Sequence, residues 1–430
     1  MRTLKFIDLF AGIGGIRKGF EIACNELGYR TECVFTSEIK EHAIKVLHQN
    51  HPAEQICGDI TRISEDDIPD FDYLLAGFPC QAFSAAGKRL GFEDTRGTLF
   101  FDVARILKKK QPRGFVLENV EGLVNHDREN PKDKIGRTLQ TILNTLDELD
   151  YNVTWKVLNA KDFGVPQERK RIYIVGAKKG IPVLDNFVSQ SRKLDDILEC
   201  GVPTSDHPFV KNLLSHYKVE DLIGKSIKDK RGGSDNLHSW DLEMKGPVSK
   251  KQKQLLSMMM TERRKKKWAE EYGIDWMDGM PLTIDMIMSF WGKDPKLENM
   301  LEDLAKKRYV VKEHPKKKLP NGQRIQDPTL PIGYNIVAGK MSFEVSKILN
   351  PEGIAPTLVA MDMQHLYVPD GDGIRRLTLR EGLRLFGYPD DYKFKVTQTE
   401  GYDLLGNTVV VSVIKYVSYQ LLLAQEGGAK

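Results

Sequence analysis

No two of the five cysteines in this chain stand at C-x-x-C spacing, and none lies beside a histidine at the separation a metal site uses. That absence argues against structural zinc and against a disulfide framework, so reduced thiols and no metal are expected. A signal-peptide pattern is missing, as is any apolar run of about eighteen residues; nothing points to a membrane, and a cytoplasmic location is expected. Charge of one sign is also lacking. The 64 Lys and Arg against 60 Asp and Glu leave a net charge of +4, which permits a polyanionic partner without demanding one. No internal repeat is visible from about Ile181 to Leu349. What remains is a 430-residue chain, 40% hydrophobic, long enough for two domains with cores of their own.

Two glycine-containing turns stand out. Gly77-Phe78-Pro79-Cys80-Gln81-Ala82-Phe83-Ser84 follows the apolar, strand-like run Tyr73 to Ala76. Gly77 permits a tight exit from the strand and Pro79 pushes Phe78 toward extended backbone, so Cys80 is expected at the carboxyl edge of a sheet, where a nucleophile belongs. A buried, inert cysteine needs neither feature. Nearer the start, Phe6 to Phe10 reads as an apolar strand running into Ala11-Gly12-Ile13-Gly14-Gly15, then a helical pattern from Ile16 to Leu27. Glu38 closes the next strand-like run about twenty residues on, as a ribose-binding carboxylate does. G-x-G-G lacks the third glycine of the dinucleotide pattern, which suits a nucleoside cofactor without a pyrophosphate, such as S-adenosylmethionine.

FIDLFAGIGG, GFPCQAFS, GFEDTRGTLFFD at Gly91 to Asp102, LENV at Leu117 to Val120 and FGVPQERKRIYIVG at Phe163 to Gly176 stand in unbroken order. RRLTLREGLRLFGYPDDY at Arg375 to Tyr392 and GNTVVVSV at Gly406 to Val413 follow near the end. Together these blocks resemble the DNA cytosine-5 methyltransferases of bacterial type II restriction-modification systems. The resemblance implies an α/β fold, a Rossmann-like S-adenosylmethionine-dependent methyltransferase sheet with a second, smaller DNA-recognition domain. It also implies that Phe10, Gly12, Gly14, Glu38, Ile39, Asp59, Pro79, Leu99 and Asn407 line the cofactor pocket. Ile39 departs from the family, which often has a tryptophan stacking on the adenine there.

The chemistry of such an enzyme explains the residue types. Cytosine C6 is a poor electrophile and C5 a poor nucleophile; attack of a Cys80 thiolate on C6 makes C5 an enamine carbon, and loss of the C5 proton later expels the thiol. Charge develops at N3 during attack. Glu118, delivered by the apolar run Gly114 to Leu117, is the candidate proton donor there. Arg169 and Arg171 alternate just before the strand Ile172 to Val175, so both guanidiniums are expected on one side, able to hold the base carbonyl and a phosphate and to lower the thiol pKa.

From about Ile181 to Leu349 the strand-turn-helix rhythm gives way to charged, irregular sequence. The organisation expected is a catalytic and cofactor domain from residues 1–185 plus 395–430, with 186–394 as target-recognition domain and hinge. The middle carries Arg263-Arg264-Lys265-Lys266-Lys267-Trp268, Lys316-Lys317-Lys318, and Lys230-Arg231-Gly232-Gly233-Ser234 leading to His238-Ser239-Trp240. Basic residues beside an aromatic and a glycine turn suit a surface that tracks phosphates and enters a groove, although a charge run is more often a solvated helix face. The RGG…HSW stretch faintly resembles a subgroup that methylates GGYRCC-type palindromes. Gln81, Ser84, Lys88, Arg89, Arg96, Arg231, His238 and Trp240 are the candidate DNA contacts, with Lys88 and Arg89 in a loop expected to close on DNA, and Arg231 the candidate guanine reader.

Double-stranded DNA is the expected partner, with a cognate restriction endonuclease as functional companion and monomeric action. A transfer-RNA cytosine-5 methyltransferase on the same core is the alternative. A nicotinamide-dependent oxidoreductase accounts for the glycine turn and Glu38 but leaves Cys80, Glu118 and the arginines without purpose, and a catalytically idle DNA-binding protein has no use for the nucleophile loop.

Overall fold

The computed structural model describes residues 2–79, 99–130, 132–229, 232–233, 235–337, 343–360 and 362–427. Cys80, Gln81, Ser84, Lys88, Arg89, Arg96 and Arg231 lie outside the described residues. The described chain forms two compact units: Met1–Gly201 with Asn350–Gln364 and Leu377–Lys430, and Val202–Leu349 with His365–Arg376.

The first unit is built on a seven-stranded sheet. In chain order its strands are β1 (Thr3–Leu9), β2 (Arg30–Ser37), β3 (Ile56–Cys57), β4 (Tyr73–Ala76), β5 (Gly114–Val120), β6 (Asn152–Asn159) and β7 (Lys170–Ala177), laid out β3-β2-β1-β4-β5-β7-β6. The first five are mutually parallel, and β7 runs antiparallel to both neighbours. Parallel strands need crossovers, and amphipathic segments supply them: α1 (Gly15–Glu26), α2 (Glu41–Asn50), α3 (Leu99–Lys110) and α4 (Arg137–Asp147). Ile7, Leu9, Leu74, Ala76, Phe115 and Leu117 turn one sheet face toward α3 and α4, burying Phe100, Leu107, Leu139 and Ile142. On the opposite face Phe6, Phe20 and Tyr73 pack ring to ring with centroids 5.3 Å apart. This layering is the doubly covered sheet that continuous apolar strands require.

The C-terminal helix Val411–Gln425 completes that opposite face. A Cβ at Gly19 would lie 2.6 Å from Ile414 and 2.8 Å from the Val411 carbonyl, so glycine is what lets α1 and this helix approach so closely. Among the described residues, 398–425 are long and apolar enough to pass a length-and-composition test for a membrane span. They fold as two helices, Gln398–Asn407 and Val411–Gln425, and most of the window is buried in the unit.

The boundaries differ from those expected. Residues 186–201, 350–364 and 377–394, assigned from sequence to the recognition domain, belong to the first unit. The reason is hydrogen bonding: Leu194 N–H donates to the Gly353 carbonyl at 2.9 Å, Ala355 N–H to Pro166 at 2.8 Å, Glu199 N–H to Glu381 at 2.7 Å, and the Tyr392 hydroxyl to the Ile13 carbonyl.

The second unit carries a five-stranded sheet ordered Gly373–Arg376, Leu366–Asp370, Lys347–Ile348, Ser226–Ile227, Asn236–Leu237. Beside it, helices Lys250–Glu262, Ile284–Trp291 and Leu297–Lys306 enclose a core of Trp240, Leu255, Met259, Met260, Trp268, Met280, Leu301 and Tyr309. Met258 and Trp276 are instead partly exposed. Two antiparallel hairpins follow, Val310–Glu313 with Gly333–Ile336 and Lys316–Lys318 with Arg324–Gln326.

Candidate functional site

Because β1 to β5 are parallel, their carboxyl ends share one edge of the sheet; β7 runs the other way, so its first residues meet the same edge. That geometry gathers Phe10 to Gly14, Glu38 and Ile39, Asp59, Pro79, Glu118, and Arg169 to Arg171.

The β1 turn is built for close approach. Phe10 and Gly12 have φ of 55° and 54°, and no atom lies within 4 Å of where a Gly12 Cβ would sit. Glu38 holds the turn: one carboxylate oxygen accepts the Gly12 N–H at 2.6 Å, while the other accepts Ile39 and Lys40 N–H at 2.8 Å each, where α2 begins. Ile39 stands 73% exposed. Asp59 accepts the Thr61 hydroxyl at 2.8 Å and the Thr61 N–H at 3.0 Å, which holds its carboxyl below the usual range. Asn407 ends the helix Gln398–Asn407 and donates to the Asp403 carbonyl and carboxylate; Asp403 in turn accepts His42 Nε2 at 2.9 Å and pairs with Lys40. An open cradle over Gly12, an exposed aliphatic face at Ile39 and carboxylates at Glu38 and Asp59 fit a nucleoside whose hydroxyl and amino groups need acceptors.

Under the turn, Asp8 is fully buried and neither carboxylate oxygen has a hydrogen-bond partner among the described residues. Burial pushes its pKa up to about 8, against the lowering effect of Arg17, which favours the protonated form near neutral pH. Nothing in the sequence singled it out, since an aspartate in an apolar strand reads equally well as a strand-end residue.

Glu118 lies near the carboxyl end of β5, buried, with its Oε1 3.3 Å from Arg171 Nε. Burial raises its pKa more than Arg171 and Arg169 lower it. Its Oε2 lies 3.7 Å from where a Gly77 Cβ would sit, which sets the carboxyl beside the segment leading to Cys80. Asn119 fixes that segment: its side-chain amide donates to the Phe78 carbonyl at 2.7 Å, and its Oδ1 accepts the Val120 N–H at 2.9 Å. Asn119 was missed as a candidate; a polar residue ending a buried apolar run was the available signal.

The two arginines part company. Arg169, 4% exposed, donates to the backbone carbonyls of Leu358 (2.8 Å), Thr408 (2.8 Å) and Gly406 (3.2 Å), and its guanidinium lies 5.1 Å from the Phe386 ring centre. Burial and Arg171 lower its pKa to about 10. Arg169 is therefore a bracket between β7 and the returning chain, and its terminal nitrogens are not available to a phosphate as expected. Arg171 alone pairs with Glu118. Gln167 repeats the bracket, donating to the Leu385 carbonyl at 2.9 Å.

In the second unit His238 and Trp240 correct the sequence-based expectation. They stack face to face, centroids 4.2 Å apart, at 4% and 1% exposure, so they are core residues and do not lie on a DNA-reading surface. Arg263 is likewise buried, donating to Asn335 Oδ1 and the Ile336 carbonyl, and Trp268 is in the core.

Residues 4–422 match the family model described as C-5 cytosine-specific DNA methylase. The chain is 63% identical over 422 residues to the Type II methyltransferase M.NlaIV of Neisseria lactamica, covering 98% of this chain and 99% of that protein. It is 62% identical to the Type II methyltransferase M.NgoBV of Neisseria gonorrhoeae, with the same coverage. Its fold is similar to that of S. pombe Dnmt2 methyltransferase, with a TM-score of 0.51 at 15% identity over 98% of each chain. With the order and direction of its strands, these likenesses establish that the chain belongs to the C-5 cytosine-specific DNA methylases.

Proposed function

We propose that this enzyme acts on a cytosine rotated out of a short specific site in double-stranded DNA, with Cys80 as covalent nucleophile, Glu118 as proton donor and Arg171 as the cation that orients it. The observation that carries the reading is the Glu118–Arg171 pair at 3.3 Å, adjoining the Phe78 carbonyl that Asn119 ties down two residues before Cys80. The Cys80 thiolate adds to C6 of the extruded base. Glu118, whose pKa burial raises, donates a proton to N3 as negative charge spreads onto the ring. Arg171 fixes the carboxyl through its Nε and stabilises whatever charge Glu118 acquires. Departure of the C5 proton then restores aromaticity and releases the thiol. Rotating the base out of the stack costs a few kcal/mol, which protein contacts offset.

S-adenosylmethionine supplies an electrophilic methyl group on its sulfonium for C5; Phe10, Gly12, Gly14, Glu38, Ile39, Asp59, Pro79, Leu99 and Asn407 are the residues that hold it. Glu38 and Asp59 would offer carboxylate acceptors to its hydroxyl and amino groups, and the open space over Gly12 would leave room for it.

The biological reading is protection of host DNA in the cytoplasm by a monomeric methyltransferase paired with a cognate restriction endonuclease, supported by likeness to Type II methyltransferases over nearly the whole chain. The site is a GC-rich six-base palindrome of the GGYRCC type, a reading supported by the RGG…HSW stretch alone, with Gln81, Ser84, Lys88, Arg89, Arg96 and Arg231 as DNA contacts. Cytosine-conversion sequencing of plasmid DNA incubated with protein and S-adenosylmethionine tests the reaction, the nucleophile and the site specificity. Methylation confined to one motif and lost in Cys80→Ala is expected. Unmodified DNA from folded, cofactor-binding protein refutes the reading.

A further inference from the structure

The hairpin Lys316–Lys318 with Arg324–Gln326 does nothing visible for the core of its unit. Both strands are exposed apart from half-buried Lys316, and a lone two-stranded ribbon is marginal in water. Its turn is nevertheless well made: Gly322 N–H donates to the Leu319 carbonyl at 2.8 Å, Leu319 N–H to Gln323 at 2.7 Å, and Gln323 N–H to Asn321 Oδ1 at 2.9 Å. Pro320 presets the turn and Gly322 takes the left-handed φ of 83°.

The charges are distributed unevenly. At the base, Lys316 pairs with Glu313 at 3.3 Å and Lys317 with Asp327 at 3.2 Å. Toward the tip, Lys318 stands directly across from Arg324, and neither has an acidic partner among the described residues. Like charges directly opposed on an antiparallel pair are destabilising. Arg324 donates to the Trp276 and Asp275 carbonyls, at 3.0 and 3.5 Å. No acidic residue occurs from Pro315 to Gln326, and the polar side chains at the turn and on the return strand are Asn321, Gln323, Arg324 and Gln326. These are the types that donate to base edges, and a two-stranded ribbon fits the major groove.

We infer that this hairpin is a base-reading ribbon: its salt-bridged base anchors it while Lys318, Arg324 and the amides of its tip enter the major groove of the substrate duplex. The inference rests on double-stranded DNA being the substrate.

The test uses the full chain and its Lys318→Ser/Arg324→Ser variant. Both positions are solvent-exposed, so melting temperature and S-adenosylmethionine affinity are expected to hold; Lys318→Ser alone serves if the double variant melts early. Binding of a duplex carrying the methylated motif should weaken about 10- to 100-fold, with a smaller loss on a scrambled duplex. Replacing guanines of the motif by 7-deazaguanine should weaken the wild type and leave the variant little changed. If both duplexes weaken equally and 7-deazaguanine affects both proteins alike, the ribbon touches phosphates only and the inference is overturned. It is overturned too if the variant binds and methylates as the wild type does. A wild type that methylates no duplex DNA brings down the substrate reading itself.

Discussion

Arg169 and Arg171 sit two residues apart in one motif, yet the structure assigns them different work, and substitution should separate stability from chemistry. Arg169→Met removes a buried cation that donates to three backbone carbonyls, two at 2.8 Å and one at 3.2 Å. Hydrogen bonds from charged donors contribute about 1.5 to 3 kcal/mol each, and the orphaned carbonyls stay buried. Desolvating the guanidinium offsets part of this, as its lowered pKa shows, so a net loss of about 3 to 5 kcal/mol is expected. That is a large share of the roughly 5 to 15 kcal/mol by which a domain is stable. Arg171→Gln breaks one ion pair at 3.3 Å with a carboxyl already inclined to keep its proton, and about 1 kcal/mol is expected. Its rate should fall about 100-fold or more, because Glu118 loses its orienting cation. Urea denaturation at unchanged slope gives the first comparison and single-turnover methylation the second. An Arg169→Met protein with wild-type midpoint but no activity would refute the bracket and return Arg169 to the chemistry.

Glu118→Gln keeps a hydrogen-bond donor but cannot deliver a proton, so kcat should drop about 100-fold, and the decline in rate as pH rises through the elevated Glu118 pKa should disappear; a pH–rate profile that keeps its alkaline limb counts against the role. For Asp8 the folded pKa of about 8 lies above the ordinary 3.8, so the folded state keeps a proton that the unfolded chain loses, and wild-type stability falls as pH rises from about 4 to 8. Asp8→Asn removes that slope; relative to wild type it should gain stability from pH 5 to pH 8, by at most about 4 kcal/mol, and an equal gap at both pH values in urea melts sinks the idea. Ile39→Trp places a ring on an exposed position beside the Glu38 turn and should tighten S-adenosylmethionine binding about 3- to 10-fold by titration calorimetry; weaker binding would mean that Ile39 does not face the adenine.

What sequence could disclose was set by distance along the chain. The glycine turn, Glu38 and Glu118 were legible because a strand end and its loop are local, and parallel pairing alone brings such ends to one edge. Arg169 was misjudged for the opposite reason. Period-two alternation predicts which way a side chain leaves a strand, but its three acceptors lie 189 to 239 residues downstream. His238 and Trp240 failed differently: an aromatic near basic residues looks the same whether the ring faces DNA or, as here, stacks in a core. Arg263, first of a basic tract, is buried on Asn335 Oδ1 and the Ile336 carbonyl, while the last residue of the other tract, Lys318, is exposed with no acidic partner among the described residues. Charge runs do not announce which of their members are structural.

The interrupted first unit has a consequence for how such an enzyme can change its target. The chain leaves this unit after Gly201 and finally returns at Leu377, and the residues flanking those points are joined: the Thr378 hydroxyl donates to Glu199 at 2.6 Å, and Glu381 accepts the Glu199 N–H at 2.7 Å. Exit and re-entry are thus fixed within the catalytic unit by its own hydrogen bonds. Gln167, Arg169 and the Gly19–Ile414 contact hold the returning chain within the first unit. Residues 202–349 can therefore vary in sequence and length while the edge carrying Glu38, Glu118 and Arg171 keeps its geometry. On the inference that Lys318 and Arg324 read bases, specificity can drift in that hairpin while buried hydrogen bonds, each worth about 1 kcal/mol or more, hold the Glu118 edge in place.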